Sequence, residues 1–185
     1  MYRAGMFPAT FVGGMVGRWR VERMTAVRGE GLASVERVAV HVEETAETRD
    51  GAWALRGVAG HVRYVERAEK GPLDAASPTL ARPEATQAAL IPIRKSAAWW
   101  ALPQDERRAI FEARSRHIAD SMAYLPRIAR RLYHARELGG PFDFLTWFEF
   151  APEHAGAFDE LVGMLRSREE WSFVDRELEL RLTAS

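Results

Sequence analysis

The chain contains no cysteine. That excludes iron–sulfur clusters, thiolate ligation of haem, cysteine-type zinc sites and disulfides. Neither sign of charge dominates, because 26 Lys and Arg side chains balance 26 Asp and Glu. No global field therefore steers the chain towards nucleic acid or a membrane surface. No segment approaches the roughly 20 consecutive apolar residues of a membrane helix. The opening "MYRAGMFPATFVGGMVGRWR" places Arg3 before an apolar run, as a signal segment would. The run is short, broken by glycines and closed by Arg18, so it reads as a first strand and the expected location is the cytoplasm. The sequence also lacks a dinucleotide or phosphate-binding glycine loop and a Gly-x-Ser-x-Gly elbow. Its five histidines, His41, His61, His117, His134 and His154, fall in no His-x-x-His or Glu-x-x-His pair.

With 185 residues the chain suits one domain or two small, closely packed ones. Its first half reads as β. In "VERVAVHVEE", Val38, Val40 and Val42 alternate with polar neighbours, the pattern of a half-buried strand. "AWALRGVAGHVRYVE" (52–66) puts Val58, Val62 and Tyr64 on one parity, and its glycines point to bulges or close backbone packing. Residues 71–87, rich in Pro, Ala and Ser, read as a linker or a loop over a site.

The second half has a clearer rhythm. "ALIPIRKS" (89–96) predicts a short strand, and residues 102–125 predict one helix with Pro103 in its first turn and Pro126 beyond its end. On that helix Ile110, Arg114, His117, Ile118 and Ser121 would share a face. "RIARRLYHAREL" (127–138) has a helical composition in a strand's position. "FDFLTWFEF" (142–150) predicts a strand after a Gly139-Gly140 hairpin. An amphipathic helix follows, with Phe158, Leu161, Val162 and Leu165 as its stripe, and a last strand aligns Leu178, Leu180 and Leu182. If 127–138 is a strand, the order is β-α-β-β-α-β, the ferredoxin-like split unit.

Three features could carry chemistry. A histidine at a helix end is ordinarily a core or surface side chain, but His117 could also be an axial ligand to iron, oriented by a carboxylate on its other ring nitrogen. Arg130, flanked by Arg127 and Arg131, is ordinarily solvated. On a strand, however, it would share a face with Leu132 and His134, an arrangement suited to holding a small anion in an apolar pocket. "AAWW" (97–100) reads as core aromatics at a strand end, or as a wall for a flat cofactor whose carboxylates Arg94 and Lys95 would meet.

"IPIRKSAAWW", "RHIADSMAYLPRIARRLYHAREL", "FDFLTWFEF" and "REEW" together resemble the chlorite dismutase family of haem b proteins, and within it the short, dimeric, cytoplasmic branch. The resemblance covers about residues 50 to 182. It implies an α+β fold of two ferredoxin-like units forming a dimeric α+β barrel, the N-terminal one reduced mainly to strands. The divisions would be residues 1–70, a linker at 71–87, and a haem-binding unit at 88–185. The implied reaction is conversion of chlorite to chloride and dioxygen in a homodimer, with no nucleic-acid or membrane partner.

By the same resemblance, His117 matches the proximal haem ligand and Glu170 the glutamate that hydrogen-bonds it. Arg130, 13 residues after His117, matches the distal arginine. Leu132, Thr146 and Phe148 match the distal pocket, and Ile91, Arg94, Lys95, Trp99 and Trp100 match the stretch along the haem edge and propionates. Ser77 stands where short-branch relatives often carry a glutamine near the arginine. A haem-binding sensor or carrier, or a coproporphyrin-handling relative, is the alternative; the latter typically lacks the arginine and has a fuller first half.

Overall fold

The half-buried strand patterns of both halves are paired into one closed sheet. The computed structural model describes residues 7–42, 51–59 and 78–185. The strands are β1 (Phe7–Gly14), β2 (Trp19–Arg28), β3 (Arg37–His41), β4 (Trp53–Ala59), β5 (Gln87–Lys95), β6 (Ile128–His134), β7 (Phe144–Phe150) and β8 (Val174–Ala184). All pair antiparallel and close into a barrel in the order β1-β3-β2-β8-β5-β7-β6-β4. Counted from β4, that is β4-β1-β3-β2 followed by β8-β5-β7-β6, so both halves of the chain lay down four strands in the same spatial order.

In the second half the order β-α-β-β-α-β is the one expected, and 127–138 resolves as the strand β6 followed by a short 3-10 turn at Arg136–Leu138. In the first half, β1 reaches its parallel counterpart β2 through only Met15–Arg18, crossing over β3. Gly17 makes this possible. Its φ is +141°, and a Cβ there would lie 2.5 Å from the carbonyl carbon of Val38. No element is expected over 19–28, because a bulge between Val21 and Arg23 puts Trp19 and Val21 out of step with Met24 and Ala26. Val62, Tyr64 and Ser77 lie outside the described residues.

Alternation along the strands separates two cores. Phe11, Trp19, Leu55, Leu90, Tyr133, Leu145, Trp147, Leu178, Leu180 and Leu182 fill the barrel interior. On the outside of the second half, Ala89, Ile91, Ile93, Ile128, Phe148 and Phe150 pack against the helix Ala155–Arg166, whose predicted stripe of Phe158, Leu161, Val162 and Leu165 is buried there.

The single helix expected over 102–125 is instead broken. "AAWW" forms its own short helix α1 (Ala97–Ala101), with Ser96 Oγ accepting from Trp99 N at 3.2 Å. Next come α2 (Gln104–Arg108), a π-helical turn (Ala109–Arg114) and α3 (His117–Ser121); Ala155–Arg166 is α4. The break falls at Arg116, which adopts the left-handed conformation with φ of 49°. The π turn shifts the helical phase, so Arg114 of the expected face is exposed while Ile110, Ile118 and Ser121 are buried.

Candidate functional site

Strand register decides which expected site residues meet. Arg130 faces Phe148 and Leu132 faces Thr146 across β6–β7, while Ile91 faces Thr146 across β5–β7. Side chains of one register row share a face, so Arg130, Leu132, Thr146, Phe148 and Ile91 form one patch. The opposite parity, with Tyr133, Leu145, Trp147 and Leu90, fills the barrel, so the patch lies on the outer face. Thr146, Phe148 and Ile91 are buried.

Arg130 is the charge in this apolar row. It is half-buried on the outer face of β6. Burial pushes its guanidinium pKa down, and the Glu170 carboxylate pulls it partly back. No described residue forms a hydrogen bond or ion pair with it. A guanidinium held this way favours an anion in front of it.

Glu170 lies on the 3-10 turn Glu169–Phe173 and is buried. Its Oε1 accepts from Lys95 Nζ at 2.7 Å, with both side chains almost fully buried. The Lys95 ammonium stands 4.5 Å over the Trp99 ring and 5.6 Å from that of Trp171. Lys95 and Trp99 therefore belong with Glu170 in one buried cluster at the end of β5. Trp100 belongs to another: its indole N–H donates to Asp143 Oδ2 at 3.1 Å, Phe144 stacks on it, and the Arg136 guanidinium lies 3.8 Å over its ring. Arg94, on the opposite parity, is exposed. His117 is the first residue of α3.

Sequence reasoning missed the residues that hold this wall together. Glu112 caps α3, with its two carboxylate oxygens accepting from Ile118 N at 2.7 Å and Ala119 N at 3.2 Å. Ser115 Oγ accepts from Glu170 N at 3.1 Å, and Arg168 donates to Asp120 Oδ2 at 2.5 Å. A capping signature places the acceptor next to the helix start. Glu112 stands six residues before Ile118, and the ties to 168–170 cross about fifty residues, so no local pattern marks them.

Residues 23–184 match the sequence profile of the family described as chlorite dismutase. The chain belongs to the chlorite dismutase family. A dimeric chlorite dismutase from Nitrobacter winogradskyi is 55% identical, with a TM-score of 0.89 over 96% of this chain and 99% of that one. A chlorite dismutase from Candidatus Nitrospira defluvii shares the fold at 22% identity, with a TM-score of 0.68 over 100% of this chain and 93% of the other. The chlorite dismutase of Ideonella dechloratans is 34% identical over 73 residues, which is 40% of this chain but only 24% of that relative's length. In family terms, the α+β fold with an eight-stranded antiparallel barrel is the chlorite dismutase fold.

Proposed function

We propose that this chain binds haem b between the outer face of the β5–β6–β7 sheet and the wall formed by 97–121 and 169–173, and converts chlorite to chloride and dioxygen. The observation that carries the reading is Arg130, a single partly buried guanidinium in an apolar row with no hydrogen bond or ion pair to any described residue. The donor set fits haem: an imidazole at the start of α3, a carboxylate for its second nitrogen at Glu170, and a largely apolar opposite face of Ile91, Leu132, Thr146 and Phe148. His117 would be the protein ligand, and haem when bound would supply the redox chemistry that chlorite conversion needs.

The remaining work falls to side chains. Chlorite is an anion at neutral pH, so its capture needs a positive donor rather than a general base. The Arg130 fork can bind two oxygens, and its charge acts more strongly where water is sparse. The same guanidinium would hold a hypochlorite anion against escape from the pocket. Lys95 fixes the Glu170 carboxylate, and Glu170 would make the His117 imidazole a stronger electron donor. Trp99 walls the Lys95–Glu170 pair, and Trp100 with Arg136 and Asp143 closes the cofactor's edge. Each half of the barrel is read as a ferredoxin-like unit, the first with its crossover helix replaced by Met15–Arg18. The protein is read as a homodimer, as its Nitrobacter winogradskyi relative is described to be.

The test is to load the protein with haem, add chlorite and follow dioxygen with an oxygen electrode. Release of one dioxygen per chlorite is expected. A Soret band without oxygen release would leave a haem carrier, and failure to take up haem would remove the reading altogether.

A further inference from the structure

We infer that Glu112 and the Asp120–Arg168 pair are positioning residues that weld α3, and with it His117, to the turn carrying Glu170. They thereby align the axial ligand with its carboxylate partner. The inference rests on the haem reading above. A five-residue helix has no independent stability, so its direction is set by what ties its ends. Arg116, the residue before α3, makes no side-chain cap and sits in the left-handed region.

Glu112 replaces that cap from within the π turn. One carboxylate spans the N–H groups of Ile118 and Ala119, two donors that a helix start leaves open. A π turn advances the chain by more residues per turn than an α-helix, which lets a residue this far back face the start of the next helix.

Ties to 168–170 then flank His117 on both sides. Before it, Arg114 pairs with Glu169 at 3.0 Å and Ser115 Oγ takes the Glu170 N–H at 3.1 Å. After it, Asp120 accepts from Arg168 at 2.5 Å and from Arg116 Nε at 3.2 Å. The Arg114–Glu169 pair is about half exposed and contributes little. The buried Ser115–Glu170 bond and the partly buried Asp120–Arg168 pair carry the register. With Glu170 anchored by Lys95 as well, the histidine-bearing and glutamate-bearing segments form one rigid body.

Outer partners of a metal-bound histidine set its ring orientation and basicity, and losing them typically costs about 10- to 100-fold in affinity. The experiment uses haem-loaded protein carrying Glu112→Ala, Asp120→Ala or Arg168→Gln, with Glu22→Ala, which breaks only the exposed Arg20–Glu22 pair, as control. Haem loss to excess apomyoglobin and the ferrous iron–histidine stretching band are recorded. Glu112→Ala should speed haem loss about 10- to 100-fold and shift or broaden the band, with smaller changes in the other two and none in the control.

In a His117→Gly background with added imidazole the ligand is detached from the helix, so Glu112→Ala should no longer matter. Should Glu112→Ala fail to fold, Asp120→Ala and Arg168→Gln test the same expectation through their smaller rise in haem loss and smaller band shift. A wild-type band and rate in these variants, or an equal effect in the imidazole background, overturns the inference. His117→Ala with an unchanged haem spectrum would instead overturn the haem reading itself.

Discussion

At the scale of the residue, a charge inside an apolar row costs stability unless something meets it, and Arg130 has the Glu170 carboxylate at a distance but no hydrogen bond or ion pair among the described residues. A protein keeps such a group for what arrives in front of it. If Arg130 retains the leaving oxychlorine anion, Arg130→Ala should still bind haem and release some oxygen, yet bleach sooner. Losing a charge-assisted contact worth about 1.5–3 kcal/mol raises escape roughly 10- to 150-fold. Counting oxygen released per haem before inactivation, with and without methionine as a hypochlorite trap, checks this. Methionine protecting the variant no better than wild type would leave Arg130 with substrate capture alone. His117→Ala should abolish haem uptake, read from the Soret titration, unless imidazole is supplied.

At the scale of the element, β8 is buried on both faces. Leu178, Leu180 and Leu182 enter the barrel as alternation predicts, but Glu177 and Glu179 on the other face are only 1% and 3% exposed. Helix α4 covers them. Its last residue, Arg166, bridges Glu177 at 2.6 Å and Glu179 at 2.8 Å, Trp171 Nε1 donates to Glu177 at 2.7 Å, and Arg181 pairs with Glu179 at 2.6 Å. Burial alone would raise the Glu179 pKa, yet Arg181 and Arg166 together hold it below the ordinary carboxylate value. A depressed folded-state pKa stabilises the fold above the unfolded value and loses that contribution as pH falls through the folded one. The melting temperature should therefore drop as pH falls below about 4. Arg166→Leu leaves two buried carboxylates short of a partner and should cost about 3–5 kcal/mol at pH 7, measured by urea unfolding, with a weaker acid sensitivity.

The β1–β2 crossover makes a second prediction at this scale. Gly17→Ala puts a methyl group against the Val38 carbonyl at a φ that side chains rarely adopt, and should destabilise by at least about 1–3 kcal/mol in the same assay.

At the scale of the whole molecule, two sets of four strands in the same order close on each other through β2–β8 and β4–β6. Closure leaves no described strand without neighbours on both sides, so among the described residues self-association would use the surfaces of strands and helices rather than edge pairing. Light scattering on the purified protein should report twice the 20.9 kDa chain mass. A pentamer would contradict the dimer. Among the described residues no helix is long and apolar enough to cross a membrane.

Local periodicity was enough for most strands and for α4, because a two-residue or 3.6-residue repeat of apolar side chains is a property of neighbours in sequence. It failed at 19–28, where the bulge between Val21 and Arg23 interrupts the alternation of β2. It failed also at 102–125, where the composition is helical throughout but the backbone turns at Arg116. Arg130 could be singled out from sequence, since one arginine beside leucine on a strand is a local pattern. The outer row of Arg130, Leu132, Thr146, Phe148 and Ile91 needed the register of three strands. The Lys95–Glu170 pair joins residues 75 apart, and the ties from Ser115 and Asp120 to residues 168–170 span 55 and 48. Such contacts depend on how the barrel closes and which helix end lands on which turn, and chain order alone carries no distance between them.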